Sequence, residues 1–134
     1  MGLAVPEECL LCNAGSENRQ HLFSDCSFSH EVWSFFLSQL HLNALVGFDD
    51  CLRWLKDHTR DRNIALITKL LFQTSIYAIW KERNAKLHNN IPRPAHSIIS
   101  EIKHQIRLRL DLLSRAEEVP FGGATLLLTW FNFF

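Results

Sequence analysis

The sequence predicts a mostly α-helical chain in which a small N-terminal loop module is followed by about four helices. After residue 26, apolar side chains recur at spacings of three and four, which is the period of a helix packed on one side. The first 26 residues instead carry turn signals around three cysteines. With 47% apolar and 21% charged residues among 134, the composition is that of a folded domain.

Several broad classes are excluded by composition and motif. No apolar run reaches the roughly 20 residues needed to cross a bilayer. The start leads directly to Glu7 and Glu8, so we expect no signal peptide and an intracellular chain with reduced thiols. Gly122-Gly123 lacks the Lys-Ser or Lys-Thr of a phosphate loop, and no histidine pairs with a nucleophile. We therefore expect no enzymatic activity and no small-molecule substrate.

Two helices are predicted in the first half of the chain. Ser27 or Ser29 can cap a helix that runs to about residue 40. After Gly47, Asp49 or Asp50 can cap a short second helix.

Two longer helices follow. Asp61 can cap a helix to about residue 88 whose first part is apolar nearly all round, which predicts a central, buried helix. Residues 89–94 contain two prolines and end it. The last helix is predicted over residues 95–117, with an apolar stripe at helical spacing: Ile99, Ile102, Ile106, Leu110 and Leu113.

The tail is strongly apolar from residue 124 to residue 134. It can form an edge strand, insert into a groove, or be an extension without a selected role. We divide the chain into residues 1–45, the cysteine-bearing loop module with its first helix, residues 46–118, a helical region, and residues 119–134, the apolar tail.

Cys9, Cys12, His21 and Cys26 have the spacing C-x2-C-x8-H-x4-C. Two thiolates separated by two residues can bind one ion from a tight turn, and a His and a Cys five positions apart can complete a tetrahedron. Three cysteines and one histidine form a closed zinc set with no open position. The pattern predicts one structural Zn²⁺, so the N-terminal module is zinc-stapled.

Alternatives to this ligand set are open at the level of sequence. The C-x-x-C pair can be a redox motif, although no βαβ pattern surrounds it. His30 can compete with His21. Cys51 can act as a substitute ligand, although a buried free thiol on the short helix is the simpler interpretation.

Charge is divided along the chain. Residues 1–50 carry one basic and seven acidic side chains, whereas residues 51–115 carry thirteen basic and five acidic ones. One interpretation is an acidic module docked beside a basic helical region. The other is that the basic part faces the phosphates of RNA or DNA.

Two segments resemble a known family. Residues 9–26, with H-L-F-x-x-C at His21 to Cys26 and then Trp33, resemble the zinc-binding domain of plant non-LTR (LINE-type) retrotransposon reverse transcriptases. Residues 79–85, Ile-Trp-Lys-Glu-Arg-Asn-Ala, resemble the I-W-x-E-R-N segment that follows this domain, before a ribonuclease H-like domain. The resemblance covers about residues 9–88.

The resemblance implies a non-catalytic fragment from the C-terminal part of such a polyprotein. The paired-aspartate motif of the polymerase is missing, and nothing after Pro94 supplies the carboxylates of a ribonuclease H site. The upstream part of the zinc domain is also missing, so the resemblance implies that residues 1–45 are a zinc-binding module truncated at its N-terminal side. The resemblance slightly favours the nucleus over the cytoplasm.

The resemblance also implies nucleic-acid binding. Six basic residues are candidates, the last three weaker than the first three: Lys81, Arg83, Lys86, Lys103, Arg107 and Arg109. Trp33, Trp54 or Trp80 can stack a base if exposed. The alternatives are a zinc-stapled helical protein-interaction unit, self-associating through uncovered apolar surface, and a decayed element with no selected function. No membrane partner is expected.

Overall fold

A computed structural model describes residues 8–43, 47–89, 93–116 and 125–134. One π-helical turn at His21–Asp25 precedes five helices: α1 Ser27–Gln39, α2 Phe48–Leu55, α3 Arg62–Asn89, α4 Ala95–Arg115 and α5 Leu126–Phe133. The described ranges contain no strand, only an isolated antiparallel bridge between Glu8 and Ser16. The mostly α-helical class is confirmed, with one helix more than predicted.

The predicted N-cap residues agree with the structure in one case and differ in two. Asp61 caps α3 as predicted, since its Oδ1 accepts from the backbone N–H groups of Asn63 and Ile64. The serine caps predicted for α1 are wrong, because Cys26 occupies the N-cap position. The aspartate caps predicted for α2 are wrong as well. Gly47 precedes that helix at φ +106°, and both aspartates lie in the first turn, where they favour the helix dipole.

One main core joins α1, α3, α4 and α5. Its buried side chains come from all four helices: Val32, Phe36, Leu40, Ile67, Leu70, Leu71, Ala78, Ala95, Ile98, Ile99, Ile102, Ile106, Leu110, Leu126 and Trp130. The predicted stripe of α4 is buried except for Leu113, which is 40% exposed.

The prediction that α3 is buried nearly all round is wrong for one side of the helix. Leu66, Tyr77, Trp80 and Leu87 are between 38% and 58% exposed. These positions are separated by 11, 3 and 7 residues, so they share one helical face. The described part of α3 therefore exposes four large apolar side chains on one face, which also carries the exposed Lys69 and Gln73.

The tail forms a helix, so the edge-strand alternative is wrong. Leu126, Thr129 and Trp130 are buried on one side of α5. The side chain of Asn63 donates to Thr129 Oγ1 at 3.0 Å, and the N–H of Leu127 donates to Ser114 Oγ at 2.9 Å. α5 is therefore bound to both α3 and α4.

None of the described helices is both long and apolar enough to cross a bilayer.

A substitution in the tail tests whether α5 belongs to the core. Trp130 is 3% exposed and Leu128, on the outer side of the same helix, is 53% exposed. We expect Trp130→Ala to lower the free energy of unfolding by about 3–5 kcal/mol, because it leaves a large cavity. Leu128→Ala is the control and should change it by less than about 0.5 kcal/mol. Equal effects in chemical denaturation would contradict the packing of α5.

Candidate metal centre

The first two cysteines lie on a tight loop that folds back on itself. The N–H of Asn13 donates to the carbonyl of Cys9 at 2.8 Å, and Asn13 adopts a positive φ of 57°. The N–H of Cys9 donates to the carbonyl of Gly15 at 3.1 Å. These bonds close the loop and hold Cys9 and Cys12 beside each other.

Gly15 is required by the position of His21. It has a φ of +74°, and a Cβ added there would lie 3.3 Å from His21 Cε1. Any larger residue would be strained and would press on the imidazole. The glycine therefore lets the histidine approach the cysteine loop.

The other two ligand candidates lie at the ends of the π-helical turn. Asn18 Oδ1 accepts from the N–H of His21 at 2.7 Å and fixes its start. The carbonyl of His21 accepts from the N–H of Cys26 at 2.6 Å, five residues later. This wide turn keeps His21 and Cys26 close together, and Cys26 then occupies the N-cap position of α1.

The four ligand atoms converge. All lie within 4.8 Å of one another, with Cys9 Sγ 3.7 Å from Cys26 Sγ and Cys12 Sγ 3.1 Å from His21 Nε2. The edge of a zinc–thiolate tetrahedron is about 3.8 Å for Zn–S bonds of about 2.3 Å. The sulfur–sulfur distance matches that edge, so these residues form a possible zinc-binding site.

The thiols of the cluster differ in how readily they ionise. Cys9 and Cys26 are fully buried. Burial raises the pKa of Cys26 to about 11, and the charge of Cys9 adds to the effect. For Cys12, burial is the largest single influence and raises the pKa, but hydrogen bonds with His21 and Ala14 outweigh it and bring the value to about 7. A bound zinc ion deprotonates coordinating thiols outright, so it would stabilise the thiolate form that burial alone disfavours.

An ion pair connects the cysteine loop to α3. Glu17 Oε2 accepts from the N–H of Leu10 at 3.1 Å, and Glu17 Oε1 accepts from Arg83 Nε at 2.8 Å. The two side chains are 13% and 19% exposed. Leu10 lies between the first two cysteines, so this carboxylate orients the backbone of the metal loop and fastens it to the helix.

The segment at residues 79–85 has a structural role that its sequence did not reveal. Ile79 is 2% exposed and packs in a small core with Cys9, Leu22 and Cys26. Glu82 is 2% exposed and accepts from Arg93 Nε and Nη2 at 3.0 and 2.9 Å, just before α4. Together with Arg83, these residues join α3 to the cysteine loop on one side and to the start of α4 on the other.

The alternative metal ligands lie apart from the cluster. Within the described residues, the only group of convergent ligands is Cys9, Cys12, His21 and Cys26. Cys51 is 4% exposed on α2, and burial raises the pKa of its thiol. His30 is exposed on α1.

The six basic candidates for nucleic-acid binding have different surroundings. Arg83 is held by Glu17, and Lys81 Nζ lies 3.7 Å from Glu101. Lys86 is half-buried near the end of α3. On α4, Lys103 lies over the ring of Phe35, while Arg107 and Arg109 are exposed. Lys103 and Arg107 share one side of the helix, and Arg109 lies on another.

The three tryptophans named as stacking candidates also differ. Trp33 packs edge-on against Phe72, with 5.4 Å between ring centroids. Trp54 lies against His58 at 4.5 Å. Only Trp80, among these three, is as much as 50% exposed, and Tyr77 lies beside it.

Measurements of the free energy of unfolding test the ion pair between Glu17 and Arg83. We expect Arg83→Gln to lower the free energy of unfolding of the zinc-loaded protein by about 2 kcal/mol, because it leaves a mostly buried carboxylate without its cation. Lys86→Gln, one turn later on α3, is the control. Adding Glu17→Gln to Arg83→Gln should recover part of the loss in a double-mutant cycle. Additive losses would contradict a direct coupling.

Comparison with known families agrees with the geometry of the loop. Neither a curated protein nor a solved structure gives a significant match to the chain. Residues 1–33 match the family model described as zinc-binding in reverse transcriptase. This range contains all four ligand candidates and ends at Trp33. The resemblance to reverse-transcriptase zinc-binding domains is therefore confirmed over residues 1–33.

Proposed function

We propose that this chain is a non-catalytic, zinc-binding accessory unit of the reverse-transcriptase type. Cys9, Cys12, His21 and Cys26 bind one structural Zn²⁺, and the helical region binds RNA or DNA. The observation that carries the proposal is the convergence of four ligand atoms within 4.8 Å, inside the range matched by the family model.

The role of the zinc follows from its ligands. Four protein ligands fill a tetrahedral ion, so no position is open for a water or a substrate, as a catalytic zinc requires. The small core beneath the loop holds few apolar side chains. Structural zinc contributes on the order of 10–16 kcal/mol to the folding of finger peptides, so one ion can supply stability that this small core lacks.

The division into residues 1–45, 46–118 and 119–134 belongs to the proposal. The contacts of Ile79 and Arg83 with the cysteine loop cross the first of these boundaries. We propose that the first two units fold as one body once zinc is bound.

The nucleic-acid part of the proposal is supported by the excess of basic residues in α3 and α4. Basic side chains that reach phosphates release condensed counterions, which gives strongly salt-dependent binding.

A second candidate function is supported by the outer face of α3. Tyr77 and Trp80 form an exposed aromatic pair there, with exposed Leu66 and Leu87 further along the same face, and this surface fits a protein partner or a second copy of the chain. Analytical ultracentrifugation over a range of concentrations tests self-association, with Trp80→Ser to weaken it.

Zinc content is tested by native mass spectrometry of the purified, reduced protein. We expect one tightly bound zinc per chain in the wild type and a large loss in His21→Ala, because one of four ligands is removed. His30→Ala is the matched control and should retain the metal. Absence of zinc in the wild type, or equal loss in both variants, would overturn the proposed site.

Nucleic-acid binding is tested by fluorescence anisotropy with labelled RNA and DNA at increasing salt. We expect the logarithm of the association constant to fall linearly with the logarithm of salt, by about 0.7 to 0.9 per phosphate contact. Polyglutamate is the control polyanion and should compete weakly. No binding at low salt, in a zinc-loaded sample, would refute the nucleic-acid part and leave the zinc site standing.

A further inference from the structure

We propose that the groove between α4 and α5 binds a segment of single-stranded nucleic acid, with Lys103 and Arg107 on its phosphates and the ring of Phe131 against a base. The inference rests on the proposed nucleic-acid function and assigns it to a surface.

The groove combines two chemistries on its two sides. It has a volume of about 310 Å³. Its α4 side carries basic side chains and its α5 side carries aromatic rings: Lys103, His104, Arg107, Trp130, Phe131 and Phe134. No Asp or Glu side chain is among the described residues that line it. An anionic polymer that also carries aromatic groups is complementary to both sides.

The cations of the groove are available to an external anion. Lys103 and Arg107 are four residues apart on α4, so they lie on the same side of the helix. Within the described ranges, neither forms an ion pair, whereas Lys81 and Arg83 on α3 each have a carboxylate partner. Asp111, one turn after Arg107, is bound to Arg115 at 2.9 Å.

Lys103 is also positioned by the fold. Its Nζ lies 5.2 Å from the centroid of the Phe35 ring, within the range of a cation–π contact. This contact with α1 reduces the freedom of the side chain while leaving its ammonium group able to donate. The lysine is therefore held beside the groove before any ligand binds.

The aromatic side supplies a ring with a free face. Trp130 is buried and stacks on Phe134 with 4.1 Å between centroids and 24° between planes. That pair fixes α5 at this end, and Phe131 next to it is 55% exposed. Bases stack on exposed rings only when they are not already paired and stacked in a duplex, so the ring favours a single strand over a double strand.

The test uses the full, zinc-loaded chain and fluorescence anisotropy. The probes are a labelled single-stranded RNA of about ten nucleotides, a DNA of the same sequence, and a duplex of the same length. Arg107→Gln is paired with Arg109→Gln, an equal change of charge on another side of α4. Phe131→Leu is paired with Trp80→Leu, which removes the exposed ring of α3. The helicity and melting temperature of each variant are measured alongside. Neither should change, since Arg107 and Phe131 are both exposed.

We expect the groove variants alone to weaken binding. Arg107→Gln should reduce the salt slope by about 0.7, and adding Lys103→Gln should reduce it again by a similar amount. Phe131→Leu should weaken single-strand binding about tenfold, within the range of roughly 5- to 150-fold for loss of one stacked base, and leave duplex binding unchanged. Preference for RNA or for DNA supports the proposal in either case and identifies the polymer.

Three results would overturn the proposal. Unchanged binding by the groove variants, with loss in Arg109→Gln or Trp80→Leu, would place the surface elsewhere and leave the nucleic-acid function intact. Competition by a Glu- and Phe-rich peptide as strong as that by the unlabelled strand would indicate a protein ligand. Absence of any binding by the zinc-loaded wild type would remove the nucleic-acid function together with the groove.

Discussion

The fold of the N-terminal loop depends on four ligand side chains being held at one point. Residues 8–26 bury few apolar side chains of their own, and two of the buried ones are the thiols of Cys9 and Cys26. Burial makes deprotonation of Cys26 unfavourable, and a tetrahedral metal makes it favourable. The positive φ at Gly15 and the π-helical turn bring the ligand candidates together, and in the proposed zinc-bound state one ion holds them there.

The segment at residues 79–83 extends this constraint to the rest of the molecule. Ile79 contributes an apolar contact beneath the ligands, Arg83 binds the carboxylate that orients the loop, and Glu82 binds Arg93 at the start of α4. Part of the basic charge of α3 is therefore neutralised inside the molecule. The basic side chains that remain without a carboxylate partner in the described regions include Lys103 and Arg107 on α4, and this is why we place the proposed nucleic-acid surface there.

The convergence of the four ligand candidates and four of the five helices could be predicted from sequence because their signals are local. The C-x-x-C and H-x4-C spacings fix which residues can share an ion, and the apolar periods of α1, α3 and α4 fix their lengths to within a few residues. The helical tail could not be predicted, since an almost wholly apolar stretch has no period. The exposed face of α3 could not be predicted for the same reason. The bond between Glu17 and Arg83 spans 66 residues, and no local pattern reveals it.

Zinc K-edge X-ray absorption of the purified protein measures the ligand shell itself and so tests the closed site directly. We expect three sulfurs at about 2.3 Å and one imidazole nitrogen at about 2.0–2.1 Å, with no oxygen ligand. A shell containing water or carboxylate oxygen, or four sulfurs including that of Cys51, would contradict a closed site made by Cys9, Cys12, His21 and Cys26.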